Sequence, residues 1–171
     1  TGGAHCCFEY LVFSEAPEGI HLDDWFSIGN ATITDIVDLD GDGVPELQTY
    51  DDRLAYFPNL CYACSPFLPL VLCRSVQDVY YDCTPQFPEL FEAAAEEFEG
   101  RLRDAVQQQM EDYEKRSSAL GLRASYLRIG LVEEGWSSIQ SLCPECNVWL
   151  SDNFSDLQER LSWVQPSRGG Q

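Results

Sequence analysis

The hydrophobic period of this chain changes once, near Pro88. Before that point apolar residues alternate in short runs. After it they recur every three or four residues. A side chain placed every second residue lines one face of a strand, and one placed every third or fourth lines one face of a helix. The change therefore predicts an α+β protein, with a small antiparallel β region of hairpins at residues 1–87, a helical region at 88–165 and a short polar tail at 166–171.

In the first part, residues 6–13 and 20–26 are aromatic-rich runs separated by Ser14-Glu15-Ala16-Pro17-Glu18-Gly19, which reads as a hairpin. Residues 31–37 alternate and carry β-branched Thr32, Ile33, Thr34, Ile36 and Val37, as a third strand does. Residues 46–50 make a fourth strand, and 68–74 and 79–83 a further hairpin. In the second part Phe91, Ala94, Phe98, Leu102, Val106, Met110 and Tyr113 mark one face of a long helix that starts near Pro88. Gly100 is its weak point. A second helix is expected at 118–133, a shorter apolar segment around Trp136, Ile139 and Leu142, and a last helix at 153–164. Ser155 and Gln158 are spaced for a capping box in that last helix.

The sequence 38–46, Asp-Leu-Asp-Gly-Asp-Gly-Val-Pro-Glu, carries the chemistry. Asp38, Asp40 and Asp42 alternate, so a tight loop brings their carboxylates to one point. Gly43 in sixth position permits the sharp turn, Val44 in seventh offers a carbonyl, and Glu46 in ninth closes the shell. Such a hard, all-oxygen set suits calcium. An EF-hand departs from it twice: position twelve is Thr49, not Glu, and the flanks are strands. An empty Asp/Gly hairpin turn would leave three aspartates repelling one another, which a cation relieves.

This loop with β flanks resembles the calcium loop of FG-GAP/VCBS-type repeats, found in β-propellers and secreted bacterial proteins. With Thr1-Gly2-Gly3-Ala4-His5-Cys6-Cys7 before it and Asp51-Asp52-Arg53-Leu54-Ala55-Tyr56 after it, the chain also resembles a bacterial exported family with the pattern GGAHCC, DLDGDGxPE and DDRFAY, followed by a helical end. The resemblance is firmest over residues 1–90. It implies blade-like hairpins and an exported module with a calcium loop, and it implies no enzymatic activity. Family members carry a further Asp/Gly repeat upstream, and the chain starts at Thr1 without a signal peptide, so a processed product or fragment is expected.

Eight cysteines, an even number, suit an oxidising compartment. Cys61-Tyr-Ala-Cys64 and Cys143-Pro-Glu-Cys146 are C-x-x-C pairs. Disulfides are the first expectation and a four-cysteine zinc site on Cys61, Cys64, Cys143 and Cys146 the second, although these pairs lie much further apart than zinc-ribbon pairs. A thioredoxin-like site would need a βαβ context that the pattern lacks.

The charge is −19, with 29 acidic against 10 basic residues. Residues 1–100 hold 19 acids and two arginines, so most of the imbalance lies in the first half. Such a surface repels phosphate backbones and anionic lipid, and no apolar run is long enough to cross a membrane, so neither nucleic acid nor membrane insertion is expected. Catalysis has little support. His5 and Cys6 are neighbours whose side chains diverge in a strand, and Asp51-Asp52 suit a turn better than acid/base work. The expectation is a non-enzymatic exported module that binds calcium and an unidentified protein or cell-envelope partner. The alternatives are a metal-dependent envelope hydrolase and a zinc-stabilised scaffold.

Overall fold

The computed structural model describes residues 8–162. The protein is α+β, with six strands in two sheets followed by five helices. His5, Cys6, Cys7 and Val164 lie outside the described residues.

β1 (Glu9–Ala16) and β2 (Gly19–Ser27) form a two-stranded antiparallel hairpin. Its turn is shorter than the sequence suggests, because the pairing continues to Ala16 opposite Gly19. Gly19, at φ +134°, takes a conformation that side chains disfavour, and this lets the chain reverse so tightly. β3 (Asp35–Val37), β4 (Glu46–Asp51), β5 (Leu68–Arg74) and β6 (Tyr80–Asp82) make a four-stranded sheet in sequence order.

β3 is shorter than the alternation at 31–37 predicts. The backbone of residues 31–33 is engaged by side chains instead of a ladder: the Ile33 N–H donates to the Tyr10 hydroxyl at 3.0 Å, and the Thr49 hydroxyl donates to the Thr32 carbonyl at 2.8 Å. Polar side chains from distant parts of the chain thus satisfy these backbone groups in place of a ladder.

The helices are α1 (Pro88–Gln107), α2 (Asp112–Arg128), α3 (Val132–Leu142), α4 (Pro144–Asp152) and α5 (Phe154–Ser162). α1 stops before Met110 and Tyr113, because Gln109 turns left-handed at φ +52°. α2 then begins six residues earlier than its apolar stripe indicates. Glu111 and Glu114 form a reciprocal capping box there, which fixes the start by polar bonds and not by apolar period. Gly130, at φ +77°, ends the stretch that follows α2.

Two compact units arise from this chain, and they interleave. Of the described residues, one takes the chain up to Asp51 together with Leu70–Thr84, and the other takes Asp52–Pro69 together with residues 85–162. The core of the first unit gathers Phe26, Ile28, Ala31, Leu47, Leu70, Leu72 and Tyr80, with Tyr10 and Val12 packed against it. Phe26 lies between two rings, 5.6 Å from Tyr10 and 5.4 Å from Tyr80. Cys73 and Cys83 join β5 to the end of β6 by a disulfide.

The second unit buries Phe91, Phe98 and Leu102 of α1 against Leu120 and Leu122 of α2, Ile139 of α3, Leu150 of α4 and Leu157 of α5. Leu54, Phe57, Leu60 and Leu68 complete that core from the 52–69 segment. Gly121 is what brings α2 close to α1: a Cβ there would sit 2.5 Å from the Phe98 ring. Arg123 is fully buried in this unit. Its guanidinium stacks 4.1 Å from the Trp136 ring centre and 5.3 Å from that of Phe154, and it donates to the Val132 carbonyl. Burial pulls it down to about 10, against the attraction of Glu133, so it stays charged at neutral pH.

Candidate metal site

The loop between β3 and β4 begins where the ladder ends, at the pair Val37 and Glu46. Asp38, Asp40 and Asp42 are all exposed, and each can place a carboxylate oxygen within 4.8 Å of the other two. Oxygen ligands sit 2.3–2.6 Å from a bound calcium, so two on opposite sides of one ion are roughly 4.6–5.2 Å apart. The spacing therefore fits one ion shared by all three side chains.

Backbone N–H groups hold these carboxylates. Asp38 accepts from Gly41 at 2.7 Å through Oδ1 and from Gly43 at 3.0 Å through Oδ2. Asp40 Oδ1 accepts from the Asp42 N–H at 3.0 Å, and Asp42 Oδ1 from the Val44 N–H at 2.7 Å. Each aspartate thus bonds the backbone two or more residues ahead, which curls the loop around its own acidic side chains. The remaining oxygens, Asp40 Oδ2 and Asp42 Oδ2, have no protein hydrogen bond among the described residues.

Two glycines allow that curl. Gly41 lies at φ +80° and Gly43 at φ +91°. Gly41 thus serves the same purpose as Gly43, the glycine expected from the sequence, and the alternation Asp-Gly-Asp-Gly is its signal. Glu46 differs from the three aspartates. It is almost fully buried, and its Oε2 accepts the Leu39 N–H at 2.7 Å across the mouth of the loop. One of its oxygens therefore closes the loop already. Val44 is exposed, at the far side of the turn. Thr49, in the twelfth position of an EF-hand count, is buried and bonded to Thr32, away from the loop.

The cysteines are arranged differently from a metal centre. Cys61 is bonded to Cys64, and Cys143 to Cys146. Cys143, Glu145 and Cys146 do cluster, but both sulfurs belong to one disulfide. Zinc binds thiolates, so the oxidised pairs argue against a zinc site shared by Cys61, Cys64, Cys143 and Cys146. With Cys73–Cys83 this makes three disulfides among the described residues, which fit an oxidising compartment. Glu97 is engaged by Arg101 along α1, and His21 lies 3.7 Å from Glu18 on the hairpin surface.

No helix among the described residues is long and apolar enough to cross a membrane. No family model matches the chain, and no solved structure matches it. Over 166 residues the chain is 31% identical to a probable thylakoid lumen protein of Synechocystis, an alignment that covers 94% of this chain and 47% of the relative. The chain thus spans about half the length of the curated relative it matches.

Proposed function

We propose that this chain is a non-enzymatic, exported calcium-binding module of the FG-GAP/VCBS-like kind, in which the ion rigidifies the β3–β4 hairpin. The carrying observation is the loop itself: three exposed carboxylates within 4.8 Å of one another, curled by two left-handed glycines and closed by Glu46. The set is all oxygen, as a hard cation prefers. Asp38, Asp40 and Asp42 would supply side-chain oxygens, Val44 its carbonyl and Glu46 its second carboxylate oxygen. Calcium there offsets the repulsion among the aspartates, and binding to the folded loop adds to folding stability.

Export is supported by the three disulfides and by the lumenal description of the relative. The site is exposed and short, so its affinity is expected at ~10⁻⁴–10⁻³ M, the range of extracellular modules. The test is calorimetric titration with calcium together with thermal melting in calcium and in EDTA. Calcium should raise the melting temperature, and Asp40→Ala should remove the increment. Identical melting curves in calcium and EDTA, with no heat of binding, would sink the proposal.

A further inference from the structure

The outer face of the β1–β2 hairpin is apolar and uncovered. Leu11 pairs with Trp25 and Phe13 with Leu22, and antiparallel partners share a face. Leu11 is 57% exposed, Phe13 56%, Leu22 55% and Trp25 43%, and Ile20 beyond them reaches 76%. Large apolar side chains contiguous on one sheet face mark an interaction surface far more often than a neutral one. The inner face already has its core, with Tyr10, Val12 and Phe26. A β-bulge after Val12 sets this arrangement. Leu22 and Trp25 are three apart and would point to opposite faces of a regular strand. The extra residue puts both outward and leaves Asp24 inward and buried.

The rim decides what fits. Glu9 and Glu15 stand on the same face, opposite Ser27 and Ile20, and Glu18 is exposed at the turn. Between Phe8 and Asp51 the sequence has no lysine or arginine. Arg74, which reaches β2, is held by Asp23 at 3.1 Å and Asp78 at 3.2 Å. A second copy would set glutamates against glutamates, and an anionic lipid surface would be repelled.

From this face we infer a docking site for a protein segment with a short apolar run flanked at both ends by lysine or arginine, since Glu9 lies at one end of the patch and Glu15 and Glu18 at the other. Its apolar side chains cover the Leu11, Phe13, Leu22 and Trp25 patch, while its cations meet Glu9, Glu15 and Glu18. The inference does not depend on the calcium loop.

Titration of the full chain with a Leu/Lys octapeptide that has four central leucines and two lysines at each end, against a Leu/Glu octapeptide of the same pattern, tests it. The Leu/Lys peptide should bind and the Leu/Glu peptide should not. The double substitution F13S/L22S should weaken binding by about tenfold or more. Glu15→Lys with Glu18→Lys, which leaves the apolar face intact, should weaken it similarly, and Val148→Ser on α4 should leave it unchanged. Equal binding by wild type and F13S/L22S would reduce the effect to bulk charge and overturn the inference. A concentration-dependent dimer in sedimentation, abolished by F13S/L22S, would assign the face to a second copy and overturn it as well.

Discussion

The Asp24 carboxylate accepts the Tyr80 backbone N–H at 2.7 Å, tying β2 to β6 through a side chain that is almost fully buried. Its other oxygen accepts the Trp25 N–H at 2.9 Å. A buried carboxylate in such a position is tolerated because it is bonded, and removing it orphans buried donors. Asp24→Ala should therefore destabilise the protein by about 2–3 kcal/mol, and Asp24→Asn by less, read from urea denaturation midpoints.

The same neighbourhood sets an alkaline limit. Burial raises the Tyr80 phenol above its ordinary value of 10.0; Arg74 pulls it down, and Asp24 and Asp23 push it further up. The folded state then holds its proton more tightly than the unfolded chain. The contribution is fully present below pH 10 and is lost as pH rises from there through the folded value. Tyr80→Phe should flatten that part of a stability-against-pH curve, and an unchanged slope would refute the assignment.

Two glycines should respond to alanine in opposite ways. Gly43 lies at φ +91° with open space around it, so a methyl group there meets backbone strain and no neighbour. Gly43→Ala should cost about 1–2 kcal/mol and weaken calcium binding with it. Gly100 sits inside α1 with nothing within 4 Å of an added Cβ. Gly100→Ala should add about 0.5–1 kcal/mol, because it narrows the unfolded ensemble without strain. Thermal melts of the two variants, with and without calcium, check both statements.

Arg123 is buried at a cost that its stacking only partly offsets. Its Nε and one terminal nitrogen have no hydrogen-bond partner among the described residues. Arg123→Met keeps most of the packing and removes a desolvated charge, so it should be neutral or stabilising. Arg123→Lys exchanges a flat, weakly hydrated group for a compact, strongly hydrated one and loses the fit between Trp136 and Phe154; it should destabilise. Equilibrium unfolding of the two variants separates these outcomes.

The disulfides should differ in weight. Cys73 and Cys83 are ten residues apart, whereas Cys61–Cys64 and Cys143–Cys146 each span three. Longer loops restrict the unfolded chain more, so replacing Cys73 and Cys83 by serine should cost about 1 kcal/mol more than replacing Cys61 and Cys64. Thiol counting on denatured, unreduced protein should find all six of these cysteines oxidised.

What was legible in the sequence was whatever depends on nearest neighbours along one face. The apolar run that ends at the Ser75–Asp78 turn located β5 to the residue, and the Phe91, Phe98, Leu102 stripe located α1. The aspartate spacing located the loop that brings three carboxylates together. α4 escaped because its nine residues, which begin at Pro144, bury only Cys146, Trp149 and Leu150, too few turns to establish a period. The association of Leu54, Phe57 and Leu60 with the helices escaped because it rests on contacts with side chains far along the chain. The bulge escaped because Leu22-Asp23-Asp24-Trp25 breaks the alternation without saying which aspartate is the extra residue, and only the pairing with β1 selects Asp23.

The interleaving of the two units has a consequence for a chain that emerges N-terminus first. The sheet unit stays incomplete until Thr84 is out, since β5 and β6 come after the 52–69 segment. By then Leu54, Phe57, Leu60 and Leu68 have emerged with none of their helical partners, and Leu157, which belongs to that core, follows 89 positions after Leu68. Four apolar side chains therefore stay unsheltered through much of the synthesis of the helical half, and transiently exposed apolar surface of that kind is what makes a nascent chain prone to aggregate.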